Sequence, residues 1–154
     1  MRIATLHAWP RSPRAAIALQ QRLAPQVRLE PVRANVHILA GADVAFSPDG
    51  QHVIAGVVVW DLQTREIVEQ RTARVPCVVA AFRKLHTVPD VVLCDGQGLA
   101  HPRRIGLTCH IGLWLGIPTV GCAKSRLLGT YDEPPAQRGG ACELWHNGEQ
   151  VGVV

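Results

Sequence analysis

Cysteine pairs of the C-x-x-C kind are missing from this 154-residue chain. Cys77, Cys94, Cys109, Cys122 and Cys142 stand apart, which removes a zinc site built on ligand spacing. Their odd number speaks against a disulfide framework, and most lie in apolar segments, so reduced core thiols of a cytosolic protein are expected. Long hydrophobic runs are lacking too: Gly, Pro or charge interrupts each one well short of the roughly 20 residues a membrane span needs. No membrane partner is therefore expected. Met1-Arg2-Ile3-Ala4-Thr5 has no apolar stretch of signal-peptide type, which makes the cytoplasm the expected compartment. There is no internal repeat, no low-complexity segment and no polybasic tail. Six histidines (His7, His37, His52, His86, His110 and His146) show no ligand spacing and receive no role. The formal charge of +4 permits a polyanionic partner without requiring one.

What is present fits one domain, residues 1–154, with room for a core. Pro13 suits a first helical turn, Ile17, Leu19, Gln20 and Leu23 give a partly apolar face, and Pro25 ends a helix over 13–24. Strands are expected at 36–46, 53–61 and 66–74, with connections short enough for antiparallel hairpins. A helix over 77–86, a strand at 91–95, a helix from Pro102 to about Leu115 and a strand at 117–122 follow, which implies parallel pairing in this half. The fold class is α/β: an antiparallel three-stranded meander extended by parallel strands and flanked by helices. Asn147-Gly148 predicts a hairpin between 142–146 and 149–154. Its second strand stops in mid-pattern, an uncovered apolar edge that suggests a natural domain continuing further.

Two aspartates carry the chemical signal. Asp43 lies in an almost unbroken apolar run, 36–46, read as a buried central strand in which a carboxylate needs a cation or a proton. Asp95 ends the apolar run Val91-Val92-Leu93-Cys94 and opens into Gly96-Gln97-Gly98, where the backbone can come close to a ligand. A pairing of Asp43 with an arginine, or a cap by Asp95, is the plainer alternative. Together the acids suit Mg²⁺, with Mn²⁺ as a substitute. His101-Pro102-Arg103-Arg104 reads as a helix start offering amides and two guanidinium groups to phosphate. His101 is either a cap or a proton donor near a leaving group. Lys124 follows the strand at 117–122 as a charge neutraliser at the same sheet edge, or as a plain surface lysine.

Four stretches resemble one known family: Ala40-Gly41-Ala42-Asp43-Val44-Ala45-Phe46, Ala55-Gly56-Val57-Val58-Val59, Pro89-Asp90-Val91-Val92-Leu93-Cys94-Asp95-Gly96-Gln97-Gly98-Leu99-Ala100-His101-Pro102-Arg103-Arg104-Ile105-Gly106, and Gly116-Ile117-Pro118-Thr119-Val120-Gly121-Cys122-Ala123-Lys124-Ser125-Arg126-Leu127. The chain is similar to the endonuclease V family, whose fold is ribonuclease H-like. The resemblance implies Asp43 and Asp95 as catalytic metal ligands, and His101 and Lys124 as further catalytic residues. It also implies Gly96, Gly98, Arg103, Arg104 and Lys124 as nucleic-acid contacts. The expected reaction is hydrolysis of the second phosphodiester bond 3′ to deoxyinosine with Mg²⁺, by a monomer acting on inosine-containing DNA or RNA. A lesion pocket would take the extruded hypoxanthine.

Two departures from the family pattern are visible. The family carries a segment with a wedge tyrosine and a third acidic ligand, whereas here Val75-Pro76 runs into Cys77-Val78 and no Glu falls between Arg71 and Asp90. A G-H-R segment and final helices are also missing beyond Val154. A shortened member with low or lost activity is therefore expected. The alternatives are a non-catalytic nucleic-acid-binding remnant or another ribonuclease H-like nuclease.

Overall fold

The computed structural model describes residues 1–32, 35–49, 52–74 and 78–154. Along the chain run α1 (Pro13–Leu23), β1 (Ile38–Phe46), β2 (Val53–Asp61), β3 (Glu66–Arg74), α2 (Val79–Arg83), β4 (Val91–Cys94), α3 (Leu107–Leu115), β5 (Thr119–Gly121), β6 (Glu143–His146) and β7 (Glu149–Val153). The first five strands form one mixed sheet in the order β3-β2-β1-β4-β5. β1–β2 and β2–β3 are antiparallel, while β1–β4 and β4–β5 are parallel. The meander extended by parallel strands is the arrangement the sequence predicts.

Two local devices fix this topology. Asp61 turns β2 into β3 by accepting hydrogen bonds from the amides of Gln63 (2.7 Å) and Thr64 (3.1 Å), the Asx behaviour that favours aspartate in turns. Asp90, just before β4, accepts from the amides of His37 (2.9 Å) and Ile38 (2.8 Å) at the start of β1. That clamp seats the two parallel strands so that Leu39 pairs with Val91 and Ala42 with Cys94.

The core lies on one face of the sheet. Ala40 and Ala42 of β1, Ala55, Val57 and Val59 of β2 and Val92 and Cys94 of β4 pack against Phe82, Leu85 and Ile111. Alanines on β1 leave space for the fully buried Phe82 ring, a burial worth about 1.5–3 kcal/mol. Glu69 of β3 straps the strand to the residues after α2. Its carboxylate accepts from the amides of His86 (3.0 Å) and Thr87 (2.8 Å) and pairs with Arg71 at 2.8 Å. The Thr87 amide first, with His86 and Arg71, holds the carboxyl down at about 2. A smaller cluster joins Leu144 and Val151 of the β6–β7 hairpin to Ala100 and Leu128.

Several boundaries differ from the sequence reading. The helix expected over 77–86 is the single short α2, and Cys77 lies outside the described residues, as do Val75 and Pro76, where the sequence departs from the family pattern. Gly50 and Gln51 of the first hairpin connection also lie outside them. The cysteines are not uniformly core thiols: all four described ones are free, but only Cys94 is buried and Cys122 is exposed, because β5 ends one residue earlier. Burial pushes the Cys94 thiol up to about 11. The hairpin at Asn147-Gly148 forms as expected, with φ of 53° and 77° at the turn. Among the described residues no helix is long and apolar enough to cross a membrane.

Candidate active site

The parallel register brings the two aspartates together. Ala42 and Cys94 are paired core residues, and the Asp95 amide donates to the Ala42 carbonyl at 3.0 Å, which carries the ladder one step beyond them. Side chains alternate along a strand, so the next residues, Asp43 and Asp95, stand beside each other on the opposite face. Asp43 is exposed, a correction to the buried carboxylate read from its apolar run. Only Ala40 and Ala42 of β1 are buried; Gly41, Asp43, Ala45 and Phe46 are exposed, and the partner across β2 is Gly56, which adds no cover. Asp95 is half-buried.

Lys124 joins the two acids into one electrostatic unit. Its ammonium donates to Asp95 Oδ2, and the ammonium pKa is raised by that hydrogen bond, then by the Asp95 charge and by that of Asp43. A cation is thus already drawn to the carboxylate pair. Both acids supply hard oxygen donors, and Mg²⁺ is commonly held through one or two carboxylates with its other positions filled by water and phosphate. Among the described residues no group of three or more His, Cys, Asp or Glu that could hold a metal gathers. The donor set fits Mg²⁺ held by two carboxylates.

The turn after β4 is built on glycine. Gly96 has φ of 146°, a conformation side chains rarely adopt. The carbonyls of Gln97 and Gly98 then accept from the amides of Thr108 (3.1 Å) and Gly106 (2.9 Å). These contacts correct the sequence reading of a helix from Pro102: α3 begins at Leu107, with Gly106 as its N-cap. Residues 101–104 form a turn in which Arg104 takes φ of 54°. A Cβ on Gly106 would lie 2.2 Å from the Gln97 carbonyl oxygen, so glycine is required there. Two amides at the helix start are bound to the turn, and the arginines do not sit on a helix N-terminus.

The turn nevertheless points distinct groups in distinct directions. His101 Nδ1 accepts from the Arg103 amide at 3.2 Å, which leaves the proton on Nε2. Burial and then the Arg103 charge lower the imidazole pKa, so the ring is a neutral donor at pH 7. Arg103 donates through Nε to Gln20 of α1 at 2.5 Å. Arg104, expected to meet phosphate, turns to the C-terminal hairpin: its Nε lies 2.7 Å from Glu149 and its Nη2 3.2 Å from the His146 carbonyl. A cleft of about 840 Å³ runs alongside, its walls including Gln97, Gly98, Cys109, Gly121, Lys124 and Tyr131.

Sequence reading assigned nothing to His7 and His110, yet they meet at 2.7 Å between their Nε2 atoms. Trp114 Nε1 donates to His7 Nε2 at 3.1 Å, and Trp9 stacks on Trp114 with centroids 5.7 Å apart. Burial and then His7 push His110 down to about 4. A separation of 103 residues leaves no local signal for this pair.

Residues 73–154 match the family described as Endonuclease V. Endonuclease V of Nostoc punctiforme is 38% identical over 165 aligned residues, covering 96% of this chain and 75% of its own length. Among solved structures, Endonuclease V of Bacillus subtilis superposes with a TM-score of 0.89 at 26% identity, covering 99% of this chain and 75% of that one. That of Streptomyces avermitilis gives 0.86 at 34% identity, covering 95% and 72%. Endonuclease V of Ciona intestinalis, solved with a 23mer DNA containing an inosine, shares the fold at a TM-score of 0.60 and 23% identity, over 74% of this chain and 57% of that one. A mixed sheet of this topology, with Asp43 on β1 and Asp95 just past the end of β4, thus belongs to a chain of the Endonuclease V family, a family of nucleases.

Proposed function

We propose that this chain is a DNA repair endonuclease that hydrolyses the second phosphodiester bond 3′ to deoxyinosine, using Mg²⁺ or Mn²⁺ held by Asp43 and Asp95. The observation that carries this reading is the β1–β4 register, which stands the two carboxylates side by side on one face with Lys124 against them. A divalent ion bound there supplies charge neutralisation at phosphate oxygens and a more acidic water.

The chain's own groups do the rest. Lys124, drawn towards both aspartates, meets the phosphate and offsets the charge that builds on it. His101, neutral with its proton on Nε2, donates a hydrogen bond towards the leaving oxygen. Arg103, anchored through Nε to Gln20, adds a positive charge beside it. Gly96 and Gly98 shape the turn that lets the strand approach, and the adjoining cleft takes the extruded hypoxanthine. Arg104 ties the turn to the C-terminal hairpin through Glu149. With two carboxylates and, among the described residues, no third acidic group gathered beside them, water is poorly positioned and turnover is low. The enzyme works as a cytoplasmic monomer.

A nicking assay on an inosine-containing duplex tests this. Asp43→Ala should abolish cleavage while duplex affinity stays within about twofold, since an exposed acid opposes phosphate and does not hold it. A chain that binds the duplex but never cuts it, with or without the substitution, would establish a binding module instead. Running inosine DNA beside inosine RNA in the same assay fixes the preferred sugar.

A further inference from the structure

Tyr131 is the only tyrosine in the chain, and its backbone is firmly seated. The preceding Thr130 exchanges two hydrogen bonds with Trp145 of β6, at 2.8 and 2.9 Å. Gly129 packs so closely on Leu144 and the Trp145 carbonyl that a Cβ there would come within 2.9 Å of both. Even so, Tyr131 is 40% exposed. The guanidinium of Arg126 lies over its ring, 5.3 Å from the centroid. Gln97 Nε2 donates to the Ser125 carbonyl at 2.7 Å, which ties the Arg126 segment to the glycine turn beside Asp95. Arg126 and Tyr131 line the same cleft as Lys124 and Gly98.

From this juxtaposition we infer that the Arg126–Tyr131 pair is a stacking platform for a nucleobase of the strand that enters the cleft. The inference rests on the nuclease reading and adds a residue pair that orients the strand. An exposed ring and a planar cation on a fixed backbone offer an apolar face with positive charge, which suits a base whose neighbouring phosphates are negative. Stacking of this kind tolerates any base, because every base has a π face. The pair therefore sets the position of the strand, and the choice of inosine is left to the rest of the cleft. An aromatic held by a bridge to β6 also gives the C-terminal hairpin a part in substrate binding.

The test is fluorescence anisotropy of a labelled single-stranded oligonucleotide carrying one inosine, with the full chain and a metal chelator so that nothing is cut. Tyr131→Leu should weaken binding about tenfold, while Tyr131→Trp should stay within about twofold of the parent. Arg126→Gln should weaken it by a similar factor and flatten the salt dependence. Because Arg126 is exposed, that variant carries the test if Tyr131→Leu loses its folded circular dichroism. Parent-like affinity in Tyr131→Leu, or Leu-like weakness in a folded Tyr131→Trp, would overturn the platform and leave the nuclease reading standing. A parent chain that fails to bind the oligonucleotide at low salt would take both down.

Discussion

At the scale of single residues, the two acids are linked through one ammonium group. Lys124 is exposed, yet it is drawn to Asp95 by a hydrogen bond and to Asp43 by charge. Lys124→Ala should lower single-turnover cleavage by about 10²–10³-fold, the usual loss when a preorganised charge is withdrawn from a developing anion. Lys124→Arg would restore charge but not a point cation, so partial recovery is expected in the same assay. The imidazole pair, His7 buried and His110 half-buried, bears on stability. His7 Nδ1 donates to the Ala8 carbonyl at 2.9 Å, so its Nε2 accepts from His110 and Trp114. The groups stacked around the pair are Trp9 and Trp114, which carry no charge to compensate a proton. His110 has a folded pKa of about 4 against an ordinary 6.5, so between those values the unfolded chain binds more protons. Stability should fall as pH drops from 6.5 towards 4. Urea midpoints measured across that window should show the loss, and His110→Asn should flatten it.

At the scale of elements, the decisive contacts are those that join strand ends to turns. Residue periodicity gives β2 and β3 their limits, and Asn147-Gly148 gives the last hairpin, because those signals are local. The start of α3 was not legible in the same way. Pro102 is well suited to a first helical position, but Arg104 with positive φ breaks the run and Gly106 must nestle against the Gln97 carbonyl. Neither fact has a signature in sequence spacing. Gly106→Ala should therefore cost about 1–3 kcal/mol through overpacking against backbone, read as a lower thermal midpoint. The same variant should lose activity, since the turn it displaces carries Asp95 and His101. An unchanged midpoint would mean that the turn gives way freely.

At the scale of the whole molecule, the mixed sheet is legible in the sequence and the two acids are legible as candidates, but Asp43 is not the buried carboxylate its apolar run predicts. An apolar run suggests burial on both faces, whereas β1 buries only its alanine face and leaves Asp43 exposed. What brings Asp43 and Asp95 together is the parallel register set by the Asp90 clamp, a relation between residues about 50 positions apart that periodicity cannot encode. The His7–His110 pair and the seat of Tyr131 against β6 are likewise products of the assembled fold.

Those two carboxylates are tested most directly by single-turnover nicking of a strand-labelled inosine duplex, comparing the parent with Asp43→Asn and Asp95→Asn at millimolar Mg²⁺. A slow, Mg²⁺-dependent cut at the second phosphodiester bond 3′ to inosine is expected from the parent, reduced at least about 100-fold in each variant. Cutting in either variant at the parent's rate, or a parent that leaves the inosine strand whole in Mg²⁺ and Mn²⁺ alike, would contradict it.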